Sequence, residues 1–174
     1  MELLALPPTA EAIASMSALP RSHISPIMLG TVQGPCGDLG PEAAGAILML
    51  QATFATQDGH EAFWRAQAPL MELLSTAAGF MRSYGFGDGP SSTLLVFWRT
   101  VEDAKAFAAS PEHRQAMRDL YTHRWQYSHF AAIWEMASNH DRLIFCRDCA
   151  GVTSASAQHC AGCGAELFDV YRAS

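Results

Sequence analysis

The sequence has few charged residues and no long apolar run, and each deficit argues against a class of function. Only 16% of the 174 residues are charged, the formal net charge is -6, and lysine and arginine form no cluster. The concentrated positive charge that binds nucleic acid or an anionic membrane surface is therefore missing. No stretch reaches the roughly 18 consecutive apolar residues of a membrane span. Glu2 stands where a signal peptide carries basic residues, and Pro7 interrupts the apolar stretch. We expect a cytoplasmic protein that binds neither nucleic acid nor membrane.

The common catalytic signatures are also missing. The chain has no P-loop, no GxGxxG turn, and no serine, histidine and aspartate in an order typical of a catalytic triad. The composition is nevertheless that of a folded protein, since 49% of the residues are hydrophobic. The length suits one domain of ordinary size with a small appendage.

Changes in composition divide the chain into three predicted segments. Residues 1–43 are rich in proline and glycine, which predicts an extended N-terminal arm with a short helix near residues 10–18. Residues 44–139 contain the apolar periodicity of a folded domain, and residues 140–174 contain four of the five cysteines. We therefore predict an arm, a ferredoxin-like domain and a zinc ribbon.

Hydrophobic periodicity in the middle segment predicts four strands and two helical regions. Asp58 followed by Glu61 resembles a capping box, and Pro69 predicts a kink or break in the first helix. Thr100 and Ser110 begin the two parts of the second helical region. The resulting order is β-α-β-β-α-β, the α+β ferredoxin-like arrangement. The strands are predicted at residues 46–54, 80–85, 93–98 and 130–136.

Three of these strands are apolar on both faces, although two helices can cover only one face of the sheet. A second copy of the same sheet is the simplest cover for the other face, so the pattern predicts a homodimer.

The cysteines carry the most specific pattern in the chain. Cys146 and Cys149 form one CxxC pair, and Cys160 and Cys163 form a second pair. Zinc in structural sites takes four thiolate or imidazole ligands in a tetrahedron, and each CxxC turn supplies two. In a reducing cytosol, paired cysteines indicate a metal before a disulfide. The segment therefore resembles a zinc ribbon with one structural zinc ion.

Other interpretations of the cysteines stay open. The four thiols can also hold iron in a rubredoxin-like site or an iron–sulfur cluster, or act as a redox dithiol pair. His159 can replace a cysteine in a three-cysteine site. Cys36 is unpaired and has no activating base nearby in the sequence, which favours an ordinary thiol over a nucleophile.

Residues 44–137 resemble a known superfamily in their pattern of aromatics and turns. Gly79-Phe80 follows the first helix, a strand ends at Trp98, a Ser-Pro-x-His step runs from Ser110 to His113, and the last strand ends in Ile133-Trp134-Glu135. This pattern is similar to that of the antibiotic biosynthesis monooxygenase-like dimeric α/β-barrel proteins, whose branches include heme-binding and heme-degrading members. The resemblance implies a homodimer with a pocket between the helices and the sheet, which holds heme or a small apolar or aromatic molecule.

The same resemblance implies candidate pocket residues. Heme-degrading relatives hold iron with a histidine on the last helix, and Met117 takes that position here, with His113 one turn earlier. Both residues are therefore possible heme ligands, and the alternative is a solvated histidine with a core methionine. Trp98 is a candidate because a tryptophan lines the substrate cavity of cofactor-free relatives.

A dense polar and aromatic cluster precedes the last predicted strand, namely His123, Arg124, Trp125, Tyr127 and His129. It can contact a carboxylate or an aromatic substrate, or it can simply pack at the rim of a barrel. His129 is the third catalytic candidate after His113 and Trp98. Arg82 either anchors an acidic substrate group or occupies an exposed strand edge. A non-catalytic protein whose zinc ribbon binds a protein partner remains the alternative function.

Overall fold

The computed structural model describes residues 27–54, 56–88, 91–123, 125–138, 140–169 and 171. The short helix predicted near residues 10–18 lies outside these residues. A single 3₁₀ turn, Pro41–Ala43, precedes the second strand. The strands and α-helices of the described residues are β1 (Ile27–Gln33), β2 (Ala46–Phe54), α1 (Gln57–Thr76), β3 (Phe80–Asp88), β4 (Ser91–Trp98), α2 (Val101–Ala108), α3 (Pro111–His123), β5 (Gln126–Glu135), β6 (Leu143–Phe145) and β7 (Val152–Ser154).

Five strands form one antiparallel sheet in the order β1-β3-β4-β2-β5. The interior strand β2 pairs with β4 on one side and β5 on the other, so that Leu48 lies opposite both Val96 and Ile133. Without β1, the order β3-β4-β2-β5 and the connecting helices give the ferredoxin-like arrangement. The predicted α+β fold is therefore confirmed.

The edge of the sheet beside β3 carries a strand that the sequence pattern does not predict. β1 comes from the predicted arm, and Val32 pairs with Ser83 of β3. The chain then turns at Gly34, whose N–H donates to the Met81 carbonyl over 2.9 Å. A Cβ atom at Gly34 would overlap the Phe80 ring, so this close approach requires glycine.

The helix boundaries follow from local capping. Thr56, rather than the predicted Asp58, is the N-cap of α1, because its side chain accepts a hydrogen bond from the Gly59 N–H over 3.0 Å. Helix α1 continues through Pro69, so the predicted break is not observed. Thr100 caps α2 through the Asp103 N–H, as the sequence predicts.

The helices cover one face of the sheet and bury its largest side chains. Trp98 and Phe80 are fully buried there, with ring centroids 5.5 Å apart. Leu74 of α1 and Ala104 of α2 belong to the same buried cluster and pack on these rings from the helix side. A second buried cluster at the other end of the helices contains Ala52, Phe54, Phe63 and Leu120.

The opposite face of the sheet carries large apolar side chains without a cover of helices. Phe130 and Trp134 of β5 are 49% and 58% exposed, and the register places them beside Gln51 and Ile47. Removing such side chains from water is favourable, so this face is suited to contact with another surface. None of the described helices is both long and apolar enough to cross a membrane.

Candidate functional site

The four predicted cysteines converge on one point. All four Sγ atoms lie within 4.8 Å of one another. The closest pairs are Cys146 with Cys163 and Cys149 with Cys160, each 3.6 Å apart. Thiolates about 2.3 Å from a tetrahedral zinc ion stand about 3.8 Å apart. The donor set and its spacing therefore fit one tetrahedral metal ion.

Backbone N–H groups of the two turns point at the sulfur atoms. The Gly151 N–H donates to Cys149 Sγ over 3.4 Å, and the Gly162 N–H donates to Cys160 Sγ over 3.3 Å. Such bonds stabilise thiolates, and backbone N–H groups of Cys163 and Gly162 lower the pKa of Cys160 to about 6. The neighbouring sulfur atoms raise the pKa of Cys163 and of Cys149, because adjacent thiolates repel one another. A bound cation would remove this repulsion and allow all four thiols to lose their protons.

The core of the cysteine-rich segment is small. Ile144, Ala155 and Leu167 pack with Cys146 and Cys160, and Ala165 lies against them. The strands β6 and β7 contribute only three paired residues each. Burial on this scale is insufficient to order a segment of about thirty residues, so a bound metal would supply the missing stability.

A cluster of side chains joins the cysteine-rich segment to the sheet. Arg142, just before β6, binds Glu42 over 2.9 Å and Asp169 over 2.8 Å. The ring of Tyr171 lies between two guanidinium groups, 4.1 Å from Arg82 and 4.7 Å from Arg142. We refer to Arg82, Arg142 and Tyr171 as the arginine–tyrosine clamp.

The clamp also holds the loop that follows β1. Arg82 donates hydrogen bonds to the carbonyls of Gly37 and Leu39, the second over 2.8 Å. Arg82 is buried on the sheet face opposite the helices, where it pairs with Phe97. The alternative of an exposed strand edge is therefore wrong, because β1 covers β3 and Arg82 is buried between them and the following loop. Its guanidinium is used by two backbone carbonyls and does not contact the cavity between the helices and the sheet.

A cavity of about 60 Å³ lies between the helices and the sheet. Apolar side chains of α1, β2, β4 and α2 form most of its wall, among them Leu48, Met71 and Phe107. Three of its polar side chains are Gln67 of α1, Trp98 of β4 and His113 of α3. Because few polar groups interrupt an apolar wall, the cavity has the character of a small-molecule site.

One of these polar groups is buried without a protein partner. Trp98 is 0% exposed, and its Nε1–H has no hydrogen-bond partner among the described residues. Buried polar groups in folded proteins are nearly always paired, so this N–H is available to a ligand. Gln67 is 7% exposed, but its amide atoms are not among the fully buried side-chain atoms that lack a partner.

His113 differs because one ring nitrogen is already used. The ring donates a hydrogen bond to the Ala108 carbonyl and lies 5.7 Å from the Phe107 ring. Burial lowers the pKa of His113 below its usual value of 6.5, so the imidazole is neutral at pH 7. A neutral imidazole that donates at one nitrogen is an acceptor at the other.

The other sequence candidates lie elsewhere. Met117 packs against the second core cluster, the one with Phe54 and Leu120, and does not line the cavity. His129 is held by the Gln126 side chain over 3.0 Å and is also absent from the cavity wall. Burial lowers the pKa of His129.

The polar and aromatic cluster that was predicted before the last strand lies at the start of β5, which begins at Gln126. His123 stacks on Trp125 with ring centroids 4.7 Å apart, and Tyr127 is 79% exposed. Arg124 lies outside the described residues.

Comparison with known proteins finds solved structures of low sequence identity. Several of those that this chain resembles are described as antibiotic biosynthesis monooxygenases or as related to them. No protein-family model matches the chain, and no curated protein matches its sequence. A ferredoxin-fold protein from Listeria monocytogenes, described as related to antibiotic biosynthesis monooxygenases, is 9% identical over 66% of this chain and 65% of its own, with a TM-score of 0.49.

Two of these monooxygenase-like proteins have a described activity. The cofactor-independent oxygenase SnoaB from Streptomyces nogalater is 12% identical over 55% of this chain and 97% of its own, with a TM-score of 0.46. A heme-degrading enzyme from Listeria monocytogenes is 9% identical over 63% of this chain and 69% of its own, also with a TM-score of 0.46.

Sequence reasoning missed two buried or partly buried residues. Gln67 shares a stripe at helical spacing with apolar residues of α1 such as Leu74, and a glutamine in such a stripe is a signal that can be found from sequence. Tyr171 had no such signal, because its partners Arg82 and Arg142 are distant in sequence and its role depends on the tertiary structure.

Proposed function

We propose that this chain binds a small, neutral, apolar or aromatic molecule in the cavity and acts on it as a monooxygenase-like enzyme. The unpartnered Nε1–H of Trp98 is the observation that carries this proposal. A buried donor without a partner costs about 1–3 kcal/mol. A ligand oxygen in the cavity would remove that cost, and Trp98 would orient the ligand.

The cavity wall also indicates the charge of the ligand. His113 is its one ionisable residue, and the pKa of that residue is lowered by burial. A charged ligand would enter an apolar site without an opposite charge, which is strongly unfavourable. Trp98 and His113 are the proposed catalytic residues, and His129 is a more remote candidate because it lies outside the wall.

Heme does not fit the cavity as it stands. Pockets for larger ligands occupy about 300–1,000 Å³, whereas this cavity measures about 60 Å³. Met117 packs in a different cluster from the one that His113 faces, so the two candidate ligands do not share a site. We therefore expect that hemin added to the protein produces no saturable shift of its Soret band.

The remaining parts of the proposal concern architecture. The four cysteines would hold one structural zinc ion, since four thiolates leave no open position for catalysis. The uncovered sheet face would form a homodimer, and residues 1–43, 44–139 and 140–174 would be the arm, the enzyme-like domain and the zinc ribbon. A cytoplasmic location would keep the metal-binding thiols reduced.

Dioxygen consumption tests the enzyme proposal. Zinc-loaded protein is mixed with hydroxylated aromatic compounds, which can themselves supply electrons to dioxygen, and uptake is followed with an oxygen electrode. We expect turnover that falls by a factor of about ten or more in Trp98→Phe, as a lost buried hydrogen bond implies. Trp125→Phe, outside the cavity wall, is the control. Ligand binding without any protein-dependent uptake would reject catalysis.

A second candidate function is favoured by a different observation. The zinc ribbon exposes a patch of four apolar side chains, and this is the composition of a protein-binding surface. The patch consists of Leu143, Phe145, Val152 and Phe168. A non-catalytic protein would bind a partner there. Phe145→Ser combined with Phe168→Ser should then abolish partner capture while zinc stoichiometry is unchanged, and retention of the partner would exclude this surface.

A further inference from the structure

The four clustered cysteines differ in their exposure to solvent, and this difference divides each close sulfur pair. Cys149 and Cys163 are exposed, whereas Cys146 and Cys160 are buried. The sulfur atoms of Cys149 and Cys160 are 3.6 Å apart, and those of Cys146 and Cys163 are also 3.6 Å apart. Each contact therefore joins one exposed cysteine to one buried cysteine. A small reagent from solution can reach the first member of a pair, and the second member is already in contact with it.

Both close pairs connect the two CxxC turns to each other. Cys146 and Cys149 belong to the first turn, and Cys160 and Cys163 belong to the second. Bonded sulfur atoms of a disulfide stand about 2 Å apart, so each sulfur of a pair now separated by 3.6 Å needs to move by less than about 1 Å. Disulfides formed along these contacts would keep the two turns linked in place of the metal. Disulfides inside each CxxC pair would leave the turns unlinked.

A metal bound by these cysteines would also hold them in their reactive form. The thiolate, rather than the thiol, is the species that an oxidant attacks, and zinc binds cysteine as the thiolate. A closed site of four thiolates has no open position for catalysis on the metal, but its sulfur atoms keep this reactivity. Cys160 is further enclosed by the Thr153 hydroxyl, 3.9 Å from its sulfur. Its exposed partner Cys149 is therefore the member of that pair that meets an oxidant first.

We propose that the zinc ribbon is a site of reversible oxidation by hydrogen peroxide. The exposed Cys149 and Cys163 react first. Cys160 then closes a disulfide with Cys149. Cys146 closes one with Cys163, and the zinc ion, left without thiolate ligands, is released. This inference rests on the proposed function, because it assumes that the four cysteines hold zinc.

Each disulfide consumes one molecule of peroxide. The Cys149 thiolate attacks one peroxide oxygen, so that an S–O bond forms, the O–O bond breaks and hydroxide leaves. The Cys160 thiolate then attacks the sulfenic sulfur, so that the S–S bond forms, the S–O bond breaks and a second hydroxide leaves. The sulfur pair loses two electrons, the peroxide gains two, and two protons from solvent convert the hydroxides to water. Cys163 and Cys146 react in the same way with a second peroxide.

The test uses the full-length, zinc-loaded protein, and its zinc content is first measured by elemental analysis. Hydrogen peroxide is added in steps, and released zinc is followed with a chromophoric chelator. We expect release of all bound zinc at about two peroxides per chain, as the oxidation of four thiolates to two disulfides requires. Peptide mapping without reduction should find Cys146 joined to Cys163 and Cys149 joined to Cys160. A dithiol reductant with added zinc should restore the original zinc content.

Two further measurements test the order of the steps and the choice of cysteines. Dimedone, which traps sulfenic acids, should label Cys149 and Cys163 in preference to their buried partners. Cys36→Ser removes the one cysteine outside the cluster, and it should leave the release of zinc and the disulfide map unchanged.

The outcomes separate this proposal from the zinc site on which it rests. A protein that neither contains zinc nor takes it up under reducing conditions refutes the zinc site itself. If the protein binds zinc but retains it at peroxide concentrations that oxidise Cys36, only the oxidation proposal is refuted. Disulfides inside the CxxC pairs, or sulfinic and sulfonic acids that the reductant does not reverse, also overturn the oxidation proposal while the zinc site stands.

Discussion

Ala150 has a backbone φ angle of 58°, in the left-handed region that favours glycine. It follows Cys149 directly, and the equivalent position after Cys163 is occupied by Gly164 with a φ of 75°. The residue after each CxxC pair thus adopts the same left-handed backbone conformation. Gly164 suits this conformation, whereas Ala150 does not. An L-residue in this region costs about 1–2 kcal/mol relative to a relaxed backbone.

Replacing Ala150 with glycine should therefore stabilise the metal-bound turn. We expect Ala150→Gly to bind zinc more tightly by up to about 1 kcal/mol, or a factor of about five, measured by competition with a chromophoric chelator. Gly164→Ala is the matched variant, and it should weaken binding by a similar factor, since its Cβ would meet no atom within 4 Å and would add only backbone strain. Equal zinc affinities in all three proteins would contradict this explanation.

His113 makes stability depend on pH. Burial lowers the pKa of His113 in the folded protein below the usual 6.5. At mildly acidic pH the imidazole is therefore protonated in the unfolded chain but not in the folded protein. The contribution of His113 therefore falls as pH decreases through 6.5. Urea unfolding at pH 7 and pH 5 should show a smaller loss of stability for His113→Gln than for the native protein, by less than about 1 kcal/mol because the ring is half-buried. Thr122→Val, which changes an exposed residue of α3 and removes no titratable group, should not reduce the loss.

The arginine–tyrosine clamp connects elements that share no sheet or helix. The C-terminal Tyr171 touches Arg82 of β3 and Arg142 before β6, and Arg82 in turn binds the loop after β1. Each cation–π contact contributes about 0.5–2 kcal/mol, with the larger values in sites shielded from water. The clamp is therefore the main link between the cysteine-rich segment and the sheet that we can identify in the described residues.

Removing the tyrosine ring should loosen both sides of this link. We expect Tyr171→Ala to reduce the free energy of unfolding by about 1–3 kcal/mol, and to speed amide hydrogen exchange at Gly37 and Leu39. Tyr171→Phe keeps the ring between the guanidinium groups and should retain most of the stability. Tyr121→Ala, at an exposed position on α3, is the control for the loss of a tyrosine. Unchanged exchange at Gly37 in Tyr171→Ala would exclude coupling through the clamp.

For the whole molecule, the main feature is that the described helices cover only one face of the sheet. The helices bury Trp98 and Phe80, whereas Trp134 on the opposite face is 58% exposed. The clamp and the loop after β1 occupy the Arg82 side of that face, so a second copy would contact the β2 and β5 side. Burial of these apolar side chains would drive association.

A charge on the uncovered face should prevent dimer formation. We expect Trp134→Glu to be a monomer by light scattering at concentrations where the native protein is a dimer, because a buried carboxylate without a partner is strongly unfavourable. Tyr121→Glu changes an exposed residue of α3, on the helix side of the sheet, and it should remain a dimer. A native protein that is monomeric at high concentration would contradict the predicted homodimer.

The sequence alone determined the features that depend on local spacing. Apolar periodicity predicted the order of the strands and helices of the ferredoxin-like arrangement. Thr100 predicted where α2 begins, and the two CxxC pairs predicted which four cysteines converge. These signals are local because a helix turn, a strand alternation and a metal-binding turn each involve residues a few positions apart.

Only the tertiary structure decided the features that depend on distant contacts. β1 became a strand because the edge of β3 offers unpaired backbone groups. Tyr171 became part of a clamp because the fold brings Arg82 and Arg142 to either side of its ring. In the sequence, Trp98 has the pattern of an ordinary core residue, and only the structure shows that its buried Nε1–H has no partner among the described residues. Whether a buried polar group is paired depends on which distant residues surround it, and that is fixed by packing rather than by local sequence.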